Sequence, residues 1–181
     1  MSAVVQKLGS REKGAQIWVA EGERYLRDGE LRLAMRRCNE GWLLNPSFYK
    51  VYWCLGRIQN ERGLPGEAVG LAERAIELVD DDYQRPALLA DLGAMYVGKA
   101  GAVERSDTRD SQRLLRKATD LFAESTKIDD SYSPAYRGWA IALYRLGEYE
   151  AARSKYESAV ARGEKYWPSG FEASLAAKRG K

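Results

Sequence analysis

The sequence predicts an all-α superhelix, built from paired helices that repeat along the chain. Three observations carry that prediction. Trp18, Gly22, Tyr25, Ala34 and Pro46 return in weaker copies about every 34 residues. Glycines such as Gly29, Gly63 and Gly147 punctuate the apolar stretches where one helix must stop before the next. Alanine and glycine hold the positions where paired helices meet, and large aromatics fill the space beside them. A single pair has an apolar face it cannot bury alone, so stability requires three or more stacked pairs.

Residues 1–14 read as a lead-in, and the repeats occupy residues 15–161. In the first unit, 15–48, Trp18, Gly22 and Tyr25 mark one helix. Gly29 makes the turn, Ala34 and Cys38 mark the second helix, and Asn45 with Pro46 ends it. The second unit, 49–82, repeats the pattern with Tyr52, Leu55 and Gly56, turns at Gly63, and places Pro65 in the first turn of its second helix. Ala68, Ala72 and Ala75 follow on the contact face. The third unit, 86–132, opens with Leu89, Leu92, Gly93 and Tyr96 and resumes at Ala118, Phe122 and Ser125. Tyr96 and Ala118 lie 22 positions apart, against 9 between Tyr25 and Ala34, so about 13 residues are inserted. The polar stretch near 98–112 reads as an extended loop, with a helix starting at Ser106 or Asp107. The fourth unit, 133–161, carries Tyr136, Trp139, Ala140, Gly147, Ala152, Tyr156 and Ala159. Residues 162–181 read as a capping helix from Trp167 to Lys178, with Phe171, Leu175 and Ala176 on its apolar face, and a basic tail.

Composition narrows the chemistry. There is no histidine, which removes the commonest general base and the commonest metal ligand. No base, nucleophile and orienting group can be assembled, so the chain reads as non-enzymatic, with no cofactor, no metal and no small-molecule substrate. Cys38 and Cys54 make neither a disulfide framework nor a zinc site; they read as small buried hydrophobes, or as a redox pair if they meet in space. Gly93, Gly98 and Lys99 spell most of a phosphate-binding loop, but Ala100 replaces the magnesium-binding hydroxyl and no strand precedes them. The runs Asp80, Asp81, Asp82 and Asp129, Asp130 sit at junctions between units and read as helix caps. The net charge of +3, from 29 basic and 26 acidic residues, gives a mild preference for acidic partners and no nucleic-acid signature. No apolar stretch reaches signal-peptide or membrane-spanning length, so the chain as written reads as cytoplasmic.

These repeats resemble the tetratricopeptide-repeat family over roughly residues 15–161. A narrower likeness runs through Gly9 to Lys13, Ala34 to Arg37, Trp42 to Pro46 and Val51 to Trp53. It points to a group of bacterial proteins, many of them envelope lipoproteins of unknown function. That likeness implies a periplasmic or lipid-anchored protein if a leader was trimmed. The resemblance implies four helix pairs plus a C-terminal capping helix, in a solenoid whose first helices line a concave groove.

Counted out by analogy with that family, the groove positions are Gln16, Val19, Glu23 and Arg27 in the first unit and Lys50, Trp53, Arg57 and Asn60 in the second. The third contributes Ala87, Ala90 and Ala94, and the fourth Arg137, Ile141, Tyr144 and Arg145. The three alanines leave a shallow space beside Trp53 and Tyr144, ringed by Lys50, Arg57, Arg137 and Arg145. Trp53 has two readings: an anchor for a bound peptide, or packing between repeats. Val19 and Glu23 stand where a carboxylate clamp of the family would need lysine and asparagine, so that clamp is absent. The function so implied is a protein-interaction scaffold that holds a peptide, acidic and with an apolar anchor, in its groove. The alternatives are a self-assembling envelope component, pairing through Trp167 and the terminal helix as a homo-oligomer, and a weak nucleic-acid binder using the groove arginines.

Overall fold

The structure, a computed structural model, describes residues 9–178. The end of the basic tail, Arg179, Gly180 and Lys181, lies outside the described residues, as does most of the lead-in. Among the described residues there are nine helices and no strand. They fall into two units, residues 1–80 and 81–181. The first holds α1 (Arg11–Arg27), α2 (Leu31–Leu44), α3 (Tyr49–Glu61) and α4 (Pro65–Leu78). The second holds α5 (Arg85–Val103), α6 (Thr108–Ile128), α7 (Ser133–Leu146), α8 (Tyr149–Ala161) and α9 (Phe171–Ala176). No helix among the described residues is long and apolar enough to cross a membrane.

Helix α1 begins earlier than the repeat pattern indicates. Ser10 is extended, and its hydroxyl accepts the Lys13 N–H at 3.0 Å, so residues 11–14 belong to the first helix and not to a lead-in. Gly29 ends that helix in the left-handed region (φ +78°), and the Glu30 N–H reaches back to the Tyr25 carbonyl. Gly63, Gly147 and Gly163 do the same after α3, α7 and α8.

In the first unit α1 packs on α2, α3 on α4, and α3 also on α1 and α2. One core cluster holds Val19, Leu26, Ala34, Cys38, Val51, Cys54, Leu55 and Ile58. Val19 is therefore core, not groove as the analogy had it; it lies against Gly41, where an added Cβ would stand 2.8 Å from its methyl. Gly22 meets Cys38 in the same way, and a Cβ added there would stand 2.4 Å from the sulfur. Cys38 and Cys54 do meet in space: they form a disulfide from α2 to α3, fully buried. The sequence spacing of 16 could not show this, because the bond joins the second helix of one unit to the first helix of the next. An ion-pair ladder covers the outside of α1 and α2. Arg37 reaches Glu21 at 3.0 Å and Glu40 at 2.8 Å while lying over the Trp18 ring. Burial alone would raise the Glu40 carboxyl, but hydrogen bonds from Arg37 and Arg36 outweigh it and hold that group below its ordinary range.

In the second unit α5 packs on α6, α7 on α8, and α7 also on α5 and α6. The insertion is not an extended loop. Residues 98–103 continue α5 and 108–112 begin α6, leaving only 104–107 outside helices. Ala100 is fully buried, and Arg145 lies across Gly101, so tertiary contact overrides the weak helix propensity of Gly98 and Gly101. Asp107 caps α6 through the Asp110 N–H at 2.9 Å, at the start the sequence marks. The junction aspartates act differently from the helix caps expected of them. Asp81 and Asp129 accept the N–H two residues on, from Tyr83 and Ser131, and so order the turns between helices. Asp130 instead binds the Tyr136 hydroxyl and the Arg162 guanidinium, which together hold its carboxyl below the ordinary range. The terminal helix is shorter than read. Trp167 and Pro168 precede it, and α9 turns its buried Phe171 and Leu175 against α8.

Glycines of opposite character give a direct test of this packing. Gly66 and Gly70 sit in α4 with nothing within 4 Å of an added Cβ, whereas Gly22 has none of that room. Replacing Gly66 or Gly70 by alanine should raise unfolding free energy by up to about 1 kcal/mol each. Gly22→Ala should lower it by about 1–3 kcal/mol, both read from urea titrations. Reducing the Cys38–Cys54 bond should cost about 3 kcal/mol by the loop-closure argument, measured as the difference between titrations with and without reductant.

Candidate functional site

A cleft of about 150 Å³ opens in the second unit between α5 and α7. Its floor is the ring of Phe122, from α6. Ala90, Asp91, Ala94 and Val97 form one wall, and Pro134, Arg137, Gly138 and Ile141 the other. The ring reaches this position because two glycines face it. A Cβ on Gly93 would stand 2.8 Å from the ring and one on Gly138 2.4 Å. Phe122 is 1% exposed, and the same ring edge, Cδ1, Cε1 and Cζ, meets the backbone at both glycines.

The walls are mostly small or apolar because α5 presents alanines at a spacing of one turn, Ala90 and Ala94. Arg137 is the basic group at the rim, and its charge is already met. Its guanidinium lies 3.5 Å from the Glu164 carboxylate and donates to the Tyr166 carbonyl at 3.3 Å. The Glu164 side chain is only 4% exposed, and it also accepts the backbone N–H groups of Lys165 and Tyr166. The segment after α8 is thus pinned to α7 beside the cleft.

Four of the residues placed in the groove from sequence converge here: Ala90, Ala94, Arg137 and Ile141. Tyr144 and Arg145 do not line it. The Tyr144 ring packs against Tyr149 and Phe171, at 5.4 and 5.5 Å between centroids. Arg145 donates to the Val97 carbonyl at 2.7 Å and pairs with Glu104 at 3.1 Å, holding the lengthened end of α5. The positive ring expected around the space is therefore neutralised within this unit at both arginines. Lys50, Trp53, Arg57 and Asn60 lie in the other unit, along one side of α3 by their spacing. Lys50, Trp53 and Arg57 are half-buried, Asn60 is exposed, and the Lys50 ammonium stands 5.9 Å from the Tyr49 ring centre. Trp167, considered as a pairing residue between copies, stacks on Phe171 at 5.2 Å and packs at a tilt against Tyr156 at 4.7 Å.

Sequence reasoning did not assign Phe122 or Gly138 to the site. Phe122 is a second-helix residue, and the count by analogy used first helices alone. The signal in the sequence is Gly138, inside α7 and two positions before the small Ala140, which leaves room for a bulky neighbour.

Helix pairs of this length, turning at left-handed glycines and packed through glycine and alanine, define a tetratricopeptide-type fold. Solved structures agree. The chain is similar to TTC0263, a thermophilic TPR protein in Thermus thermophilus. Identity is 17%, 82% of this chain and 74% of that chain are covered, and the TM-score is 0.73. It is also similar to MamA, at 19% identity over 82% of this chain and 77% of that one, with a TM-score of 0.62. No protein-family model matches the sequence, and no curated protein matches it. The fold class is thus the all-α superhelix of the tetratricopeptide type.

Gly138→Ala should force the Phe122 ring off its seat and lower stability by about 1–3 kcal/mol. Phe122→Leu in that background should recover part of the loss, so a double-mutant cycle should report a coupling above about 0.5 kcal/mol.

Proposed function

We propose that this protein is a non-enzymatic interaction scaffold, and that the α5–α7 cleft takes one large apolar side chain of a bound polypeptide. The observation that carries the reading is the Phe122 floor beneath walls of alanine, valine and isoleucine. A cavity of about 150 Å³ with an apolar lining accepts a benzene-sized group, which matches a leucine, methionine or phenylalanine side chain. Helical repeats of this type use their extended surfaces to hold other chains, which supports a polypeptide as the occupant. The half-buried Asp91 shares the wall of Ala90 and Ala94, so the cleft is apolar with a polar group in its lining. Arg137 and Arg145 are engaged internally, so the acidic character once expected of the ligand has no support at this cleft. The apolar anchor remains.

Ala94 is exposed and lines the cleft, so Ala94→Trp fills it from the surface without disturbing the core. A random peptide library selected on the wild type should yield sequences sharing one large apolar residue. Ala94→Trp should weaken those peptides by tenfold or more, about 1.4 kcal/mol, at unchanged helicity. Selected peptides that bind the variant equally well would remove the cleft from the site.

A further inference from the structure

The first unit carries a groove of its own, which none of the expected groove residues lines. It runs between α2 and α4 over part of α3. Two cavities, of about 410 and 490 Å³, lie on either side of Met35. The first is bordered by Leu31, Arg32 and Arg62. The second is floored by Leu55 and Leu71 and bordered by Gly70. Leu55 belongs to the buried core, and Leu31, Met35 and Leu71 are partly buried hydrophobics packed against it, so the groove floor is the outer edge of that core.

We propose that this groove docks an amphipathic helix of a partner protein. The helix sets two large apolar side chains, one turn apart, into the cavities flanking Met35, and a carboxylate against Arg32 and Arg62. Charge complementarity selects such a partner. Arg32 is exposed and has no ion-pair partner among the described residues. Arg62 makes a hydrogen bond to the Gln59 side-chain oxygen at 2.8 Å and has no ion-pair partner among the described residues. Arg37, Arg137, Arg145 and Arg162 each have a carboxylate; these two stand at one mouth of an apolar groove without one. Glu67, at the other cavity, accepts from the amide of the same Gln59, so Arg32 is the basic group of this mouth that no carboxylate approaches among the described residues.

The backbone of α4 admits a helix in particular. Gly66 and Gly70 lie one turn apart, each with open space where a side chain would be. Glycine is a weaker helix former than alanine, and no side chain within 4 Å uses the absence of a Cβ at either position. A second helix crossing at Gly70 can approach closely, while an extended strand would find no paired edge to join. The Cys38–Cys54 bond ties α2 to α3 beneath the groove, so the walls that supply Met35 and Leu55 are fixed before binding.

The test is a library of helical peptides with randomised faces, selected on the full chain. Selected helices should carry two large apolar residues one turn apart and an aspartate or glutamate beside them. Gly70→Arg, which fills open space, should weaken them at least tenfold at unchanged helicity. Arg32→Glu with Arg62→Glu should weaken them severalfold, and that loss should vanish for peptides whose acid is replaced by glutamine. Ala94→Trp, which closes the cleft of the other unit, should leave them unaffected, so the two sites fail separately. The proposal is overturned if the selected helices ignore Gly70→Arg, or ignore the charge reversal. It is equally overturned if only extended peptides compete at the groove. Concentration-dependent self-association abolished by Gly70→Arg would replace the partner helix by a second copy of this chain.

Discussion

Contact between a side chain and a backbone that lacks a Cβ is the constraint on which the rest of this structure depends. Val19 rests on Gly41, the Cys38 sulfur on Gly22, and the Phe122 ring between Gly93 and Gly138. At each of these places a methyl group would stand within 3 Å of its neighbour, closer than packed atoms tolerate. The helices of a pair therefore come together at glycine, and bulk is supplied from the partner helix. Dispersion over such contacts is individually small and collectively large. The same constraint builds the cleft. Phe122 serves as its floor because the two backbones that could have filled that space carry no side chain there.

Charge follows from this arrangement. Helices held so closely leave their long basic side chains to work at the edges, and several arginines fasten segments of the same unit. Arg145 secures the end of α5, Arg137 secures the segment after α8, and Arg162 ties the end of α8 to the 129–132 turn through Asp130. Exposed pairs of this kind contribute little energy each, at most about 1 kcal/mol, but the Glu164 carboxylate is buried and accepts two backbone N–H groups besides. Removing Arg137 would strand that carboxylate. A net excess of basic residues in the composition thus says little about any surface until each one is matched with what it holds.

Much of the fold was legible because it repeats. Trp18, Gly22, Tyr25 and Ala34 state a pattern that later units echo, and Gly29, Gly63, Gly147 and Gly163 end helices where a left-handed residue is required. What could not be read lies off the repeat. The disulfide depends on which faces of α2 and α3 touch, and a sequence separation of 16 carries no information about that. Val19 shows the weakness of counting by analogy: a rotation of one residue on a helix separates groove from core. Tyr144 shows it again, since α9 offers an aromatic surface that a regular repeat lacks and draws the ring toward Phe171.

The insertion in the third unit makes the same point with larger consequence. Its polar and small residues read as a loop when judged by local propensity, because two glycines and several charges weaken any helix. Placed beside α7, the same residues gain a buried Ala100, a buried Ser111, and an arginine that bridges a carbonyl and a carboxylate. Those contacts are worth more than the propensity they overcome, so the chain lengthens both helices and turns only at 104–107. Arg145 is thereby committed to structure. The arginine that fastens the lengthened α5 is thereby withdrawn from the groove positions.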